Sequence, residues 1–415
     1  MDLQKYKDCF AHKNAIYISN DNKPNRPCCF YAHDVEATTW QEYKENIEKT
    51  DIETGCAHCI NAEKNGSEWS HRNQYENDFY TKQGKVFLLG VCFDNLCNIK
   101  CTTCGPLHSS KWIEDYTKLN RWKSPEQKTQ YLKMMTQAPD KVAFAKNIIA
   151  SNEFDVLKLD MFGGEPTINP TVQEFLEWLA NSEYASKVSL ALTTNATKML
   201  PNFEKYLTVF KNISVQCSID GIEDYYEYLR YGGHWEDVEK NMKKYYEFAV
   251  KNKKFKFGIH YTLSWMNALH FKDFCKWLIN TFPHYDSIGL YLTKLVGPDE
   301  YSVDIFSPEA KEKILETNIE FITKLTHPLK LTNTIARSKI INSKTNIDVI
   351  LMNFINMYKT SLINYVSTNE KTRTFRADAA FRTLSQLDYV RNTNYTETFK
   401  DVLPYLKNSN EQLAQ

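Results

Sequence analysis

Between residues 86 and 295, short apolar runs rich in β-branched and aromatic residues alternate with amphipathic helical patterns, and this alternation leaves few folds open. Six runs read as strands: Val86–Cys92, Val156–Phe162, Val188–Thr193, Ile213–Ile219, Phe255–Leu263 and Ile288–Leu292. Helical patterns lie between most of them, for example Thr171–Ala180, Trp235–Val250 and Ala268–Asn280. Strands that follow one another through helices pair in parallel, through right-handed crossovers. The expected class is therefore α/β, a parallel sheet of six βα units. Periodicity alone leaves open whether the sheet closes partly into a barrel.

The flanks read differently. Residues 1–82 are polar, rich in Asn, Lys, Glu and aromatics, with few strand or helix runs. Such a segment needs more than an apolar core to fold, and metal ligation supplies it. Its aromatics (Tyr6, Phe10, Phe30, Tyr31, Trp40, Tyr43) suit a core or a docking surface equally well. Residues 297–415 carry helical patterns; Ile347–Tyr358 is apolar enough to pack against the rest, and the chain from Asn408 reads as a free tail. The organisation expected is thus 1–82, 83–296 and 297–415.

Composition excludes some functions. Lys plus Arg (51) equals Asp plus Glu (51), so no global field draws in nucleic acid or an anionic membrane. The longest apolar stretch, Val86 to Phe93, makes one buried strand and falls short of a membrane span. The polar, charged N-terminus does not read as a signal peptide, so a cytoplasmic setting with reduced thiols is expected.

The cysteines are unevenly placed: of 11, nine lie at 9, 28, 29, 56, 59, 92, 97, 101 and 104. In a reducing compartment such clustering points to metal. Cys97-Asn-Ile-Lys-Cys101-Thr-Thr-Cys104 directly follows the first strand, where barrel enzymes place their active-site loops. Three thiolates holding a four-iron cube leave one iron open for chemistry. A structural zinc ion with His108 as fourth ligand also fits the spacing. Cys56-Ala-His-Cys59 is a second metal-type pair, completed by Cys9 and one of Cys28 and Cys29. Cys92, Cys217 and Cys275 lie in apolar patterns and read as buried small hydrophobes.

Further motifs end the next three strands in order: Gly163-Gly164-Glu165-Pro166, Thr193-Thr194-Asn195 and Ser218-Ile219-Asp220-Gly221. Taken alone, each reads as a turn. Together with Leu96-Cys97-Asn98-Ile99-Lys100-Cys101 and Cys104-Gly105-Pro106, the set resembles the radical S-adenosylmethionine (SAM) superfamily. The resemblance implies a partial (β/α)6 barrel, with Cys97, Cys101 and Cys104 holding a [4Fe-4S] cluster whose open iron takes the amino and carboxylate groups of SAM. It implies reductive cleavage of SAM to a 5′-deoxyadenosyl radical, which takes a hydrogen atom from the substrate. An electron donor such as a flavodoxin or ferredoxin is then required. The Gly163, Gly164 and Glu165 segment would receive the amino group of SAM. Ser218 and Asp220 suit its ribose, and Asn195 reaches the same ligand. Arg230, at the end of Tyr225-Tyr226-Glu227-Tyr228-Leu229, would pair with the SAM carboxylate. Thr103 stands where the superfamily usually has a bulky residue, which implies a different adenine contact.

The stretch Cys56 to Arg72, with Glu63, Gly66 and Ser67, resembles a subgroup that carries an auxiliary-cluster module, the twitch domain, ahead of the barrel. The C-terminal Leu387-Asp388-Tyr389-Val390-Arg391 and Leu403-Pro404 also resemble that subgroup. This implies a second, auxiliary iron–sulfur cluster on Cys9, Cys28, Cys56 and Cys59. Cys28 is preferred to Cys29 because the first of the paired cysteines is the ligand in related modules. A peptide or protein side chain as substrate is implied by the same analogy. The competing reading is a non-catalytic adaptor whose zinc or iron–sulfur sites only fold the chain.

Overall fold

In the computed structural model, the described residues are 4–19, 25–28, 30–65, 70, 72–73, 85–133, 138–283, 288–326, 346–363 and 368–406. Gly66, Ser67, Cys29 and the tail from Asn408 lie outside them.

Seven strands form one parallel sheet in chain order: β1 (Ala15–Ile18), β2 (Val86–Val91), β3 (Val156–Met161), β4 (Val188–Thr194), β5 (Asn212–Ser218), β6 (Phe255–Leu263) and β7 (Ile288–Lys294). The six sequence-read strands fall on β2 to β7. The sheet is an α/β sheet of the expected class, open between β1 and β7. The added strand is the difference. Ala15 to Ile18 is too short and too close to polar sequence to stand out, yet it pairs in register with Leu88 to Val91. Tertiary pairing overrides a weak local signal here.

Alternation along the strands sets the layers. In β4, Val188, Leu190 and Leu192 are buried while Ser189, Ala191 and Thr193 are half-buried. The register places Lys158 beside Ser189, Thr193 beside Gln216, and Ser218 beside His260. One face is thus apolar and covered by helices; the other is polar and runs toward the carboxyl ends of the strands. The apolar face packs on amphipathic helices, among them Pro170–Ala180, Trp235–Lys251 and Phe271–Thr281. Asn169 starts the first of these: its side chain accepts from the Thr171 and Val172 amides, and Pro170 occupies the first turn.

The first region also shares the main core. Helix Trp40–Ile47 buries Trp40, Tyr43 and Ile47 there, Trp40 meeting Phe87 edge to face. Of the aromatics noted above, only Phe30 is exposed. The region is therefore less dependent on metal for its fold than its polarity indicates. The C-terminal region is helical as expected: Pro308–Thr326, Asn346–Ile363 and Glu370–Arg391. The last is capped by Asn369 and stopped by Asn392 in a left-handed conformation. Among the described residues no helix is long and apolar enough to cross a membrane.

Candidate active site

The loop after β2 carries Cys97, Cys101 and Cys104, and its backbone is tied on every side. Asp94 accepts from the Leu96 amide, and Ser110 donates its amide to Asn95. Ser109 donates to the Ile99 carbonyl at 2.7 Å, and the Trp112 indole to the Cys101 carbonyl at 3.0 Å. Lys100 and Cys101 form a short antiparallel ladder with Tyr231 and Arg230. Thr102 donates its amide to Leu229 and its hydroxyl to Tyr228. An irregular loop with polar backbone inside a protein must find such partners.

The structure brings the three thiols into mutual electrostatic range, and burial pushes Cys97 and Cys104 up to about 12 and raises Cys101 too. A bound metal would displace these protons and hold the groups as thiolates. Two donors face the sulfurs: Asn195 Nδ2 lies 3.9 Å from Cys97 Sγ, and Arg230 Nη1 3.6 Å from Cys101 Sγ. Arg230 Nε is buried without a hydrogen-bond partner. Among the described residues no three His, Cys, Asp or Glu side chains gather about a single metal ion. A four-iron cube asks for a wider arrangement, each thiolate holding its own iron. One buried and two half-buried cysteines, donors aimed at sulfur and a guanidinium whose Nε–H has no partner among the described residues fit such a cube and a carboxylate beside it.

The other motif residues end adjacent strands around this loop, but several act differently from the sequence expectation. Gly163 and Gly164 have φ of +76° and +52°. A Cβ at Gly163 would run into Cys92 Sγ, and one at Gly164 into the Leu96 carbonyl. Close approach to the chain's own residues Cys92 and Leu96 is therefore required at both glycines. The Glu165 carboxylate is buried and taken up inside the protein. It accepts from Thr167 N, Thr167 Oγ1, Thr194 Oγ1 and, at 2.6 Å, Asn195 N. It ties the end of β3 to the end of β4. Burial raises its pKa, against the pull of these donors.

Asn195 is held by its own network, accepting from Thr197 N and Oγ1 and donating to Asn98 Oδ1. Asp220 and Arg230 pair with each other at 2.8 Å, both nearly buried. Asp220 also accepts from the Thr262 amide, so its carboxylate ties Arg230 to β6. Ser218, half-buried at the end of β5, lies opposite His260.

Sequence reading missed Asp115, and it marked Arg391 only as part of a stretch resembling the subgroup, with no role at the site. Asp115, fully buried, binds Lys100 Nζ at 2.6 Å and Arg391 Nε at 2.8 Å. The two partners are 276 residues apart, and neither lies in a recognisable spacing.

At the other end of the first region, Cys9, Cys28, Cys56 and Cys59 line one cavity with Tyr6, Tyr31 and Arg72. Cys9 precedes helix Phe10–Asn14, Cys56 joins two short helices, and Cys59 lies on helix Ala57–Lys64. Burial pushes Cys56 up to about 12, with Cys9 and Cys59 adding to it. Beside them Glu63 accepts from Lys5, Tyr6, Ser70 and Arg72. Glu63 thus joins the helix that carries Cys59 to Lys5, Tyr6, Ser70 and Arg72.

Comparison with known proteins bears on the barrel. Residues 91–277 match the family model described as the radical SAM superfamily. A probable GTP 3′,8-cyclase of Methanococcus maripaludis strain S2 is 26% identical over 204 residues, covering 48% of this chain and 58% of the relative. A second, from strain C7, is 25% identical over 48% of this chain and 57% of its own length. The chain thus spans less than two thirds of these relatives. Among solved structures, native anSMEcpe with bound AdoMet and Cp18Cys peptide overlays with a TM-score of 0.35 at 18% identity, over 58% of this chain and 61% of that one. Streptococcus suis SuiB bound to S-adenosylmethionine gives 0.32 at 14% identity, over 70% and 54%. The likeness to the radical SAM superfamily, a superfamily of enzymes, thus lies in residues 91–277, which carry the cysteine loop and the strand-end motifs.

Proposed function

We propose that the chain is a radical SAM enzyme with a [4Fe-4S] cluster on Cys97, Cys101 and Cys104. The observation that carries this is the loop itself: a buried Cys97 and half-buried Cys101 and Cys104 on a backbone held by its neighbours, with Asn195 turned toward the sulfur of Cys97 and Arg230 toward that of Cys101. When bound, the cluster supplies the electron that breaks the carbon–sulfur bond of SAM, and the 5′-deoxyadenosyl radical takes a hydrogen atom from the substrate. Asp220 orients Arg230, whose unpaired Nε–H is placed to donate to the SAM carboxylate. Glu165 fixes the turn that presents the backbone of 163–165 to the amino group. Ser218 offers its hydroxyl to the ribose. The buried strand ends exclude water from the reacting bond.

Residues 1–82 act as a twitch-like module, with an auxiliary iron–sulfur cluster on Cys9, Cys28, Cys56 and Cys59; their convergence on one cavity supports this. Residues 83–296 are the barrel and 297–415 a helical cover. The substrate is a peptide or protein side chain, on the subgroup resemblance. GTP is the competing candidate, from the likeness to the cyclases. The electron donor is a flavodoxin- or ferredoxin-type carrier.

The test is iron and acid-labile sulfide per chain after anaerobic purification, followed by dithionite and SAM. About eight of each and production of 5′-deoxyadenosine support both sites. About four with 5′-deoxyadenosine keep the radical site and remove the auxiliary cluster. Zinc without sulfide after reconstitution, and no SAM cleavage, would establish the adaptor instead.

A further inference from the structure

The C-terminal helix Glu370–Arg391 ends directly behind the loop that carries Cys101. Arg391 is 5% exposed. Its guanidinium touches three of the residues around the backbone of that loop: Asp115, Trp112 and Tyr231. Nε donates to Asp115 at 2.8 Å, and Asp115 also holds Lys100, the neighbour of Cys101. The Arg391 guanidinium carbon lies 4.5 Å from the ring of Trp112, whose indole donates to the Cys101 carbonyl. It lies 5.1 Å from the ring of Tyr231, which pairs with Lys100 across the short ladder. The Tyr231 hydroxyl donates back to the Arg391 carbonyl, and Tyr228 anchors the preceding helical turn through Asp388 at 2.8 Å.

This is more charge than packing requires. Arg391 Nη2 is buried with no hydrogen-bond partner, which is costly unless the cation serves a neighbour. Lys100 and Arg391 set two cations against one buried carboxylate; Glu114, the other partner of Lys100, is half-exposed and screened by water. The Arg391 cation therefore stands behind the Cys101 loop, within electrostatic reach of that ligand.

We propose that Arg391 is a positioning residue of the radical site: from the end of the C-terminal helix it fixes the backbone of Cys101 and supplies the positive charge behind that ligand, so that a helix outside the barrel sets the reduction potential of the cluster. The inference rests on the reading that Cys97, Cys101 and Cys104 hold a four-iron cluster. Reduction adds a negative charge to the cluster, and a cation held in a low-dielectric setting favours it.

The experiment uses the full chain, purified anaerobically, with Arg391→Lys, Arg391→Met and Asp115→Asn. Iron and sulfide are counted. The reductive midpoint is then followed by electron paramagnetic resonance on the signal that changes when SAM is added, which singles out the radical cluster. Arg391→Met is expected to lower the midpoint, Asp115→Asn to raise it, and Arg391→Lys to stay near wild type. Shifts of opposite sign cannot come from a merely structural role, which would loosen the loop in both variants. Unmoved midpoints in a protein that keeps its cluster overturn the inference and leave the enzyme reading intact. So does loss of iron in Arg391→Met with an unmoved midpoint in Asp115→Asn. A wild-type chain without iron and sulfide would instead remove the reading on which the inference stands.

Discussion

The two cysteine sites are built on different physical terms. Around Cys97, Cys101 and Cys104, hydrogen bonds from Ser109, Trp112, Thr102 and the Arg230 ladder hold the loop against the large central core. Around Cys9, Cys28, Cys56 and Cys59 there are two small satellite cores, one of Phe10, Ala15, Leu88 and neighbours, the other of Tyr6, Tyr31, Ile52 and Ile60. The first site is held by the hydrogen bonds of the fold; in the second, Cys9 and Cys59 belong to the packing and Cys28 and Cys56 lie against it, so a group bound there would add directly to its stability.

Removing one ligand from each site should separate them most sharply. Cys101→Ala is expected to bring 5′-deoxyadenosine to background while the N-terminal iron remains, at about half the wild-type content. Cys59→Ala should lose the other half, keep SAM cleavage and lower the melting temperature more than Cys101→Ala does. Equal melting temperatures, measured by calorimetry on both variants, would end the contrast between a site held by the fold and a ligand-dependent one.

Asp220→Ala tests how much of the first site is held by charge. It leaves Arg230 buried without its partner, and removing one member of a buried pair costs about 3–5 kcal/mol. Denaturant unfolding should report that loss, and a cost below about 1 kcal/mol would mean the pair behaves like an exposed one.

Gly163→Ala should cost somewhat less, about 3 kcal/mol, from a left-handed backbone and the collision with Cys92 Sγ. The same change in a Cys92→Ala background should cost less, since only the backbone strain remains. Strict additivity of the two changes in a double-mutant cycle would show that the contact is not what demands glycine.

How much of this could be read in advance depended on how local the cause was. The six strands β2 to β7 rest on runs of apolar residues within one segment, and these are legible from periodicity. So are the cysteine spacing and the order of the strand-end motifs. β1 was not legible, because four residues of ordinary composition become a strand only through Leu88 to Val91, some seventy positions away. The role of Gly163 was legible as a need for close approach, but not what it approaches, since Cys92 is brought there by sheet register. Asp115 left no signal, and Arg391 stood out only within the stretch Leu387–Arg391 that resembles the subgroup, with nothing to say what it pairs with. An acid in one helix and a base at the end of another look like surface residues until folding buries them together.

The smallest effect concerns the charge network beside the second site. Burial works to raise the Glu63 pKa, but Arg72, Lys5 and Ser70 overcome it and hold the carboxyl down at about 2, against an ordinary 4.5. A carboxylate with a depressed folded-state pKa stabilises the fold above its ordinary value and loses that contribution as pH falls through the folded one. Glu63 therefore contributes fully above about pH 4.5 and progressively less down to about pH 2. Glu63→Gln keeps the shape and part of the hydrogen bonding while removing the charge, and should cost about 1–3 kcal/mol at neutral pH. The difference between variant and wild type should shrink across that acid window, because the protonated acid is then as neutral as the amide. A difference independent of pH would assign the network to packing, and would bring the second site closer to the first in being held by the fold rather than by charge and ligand.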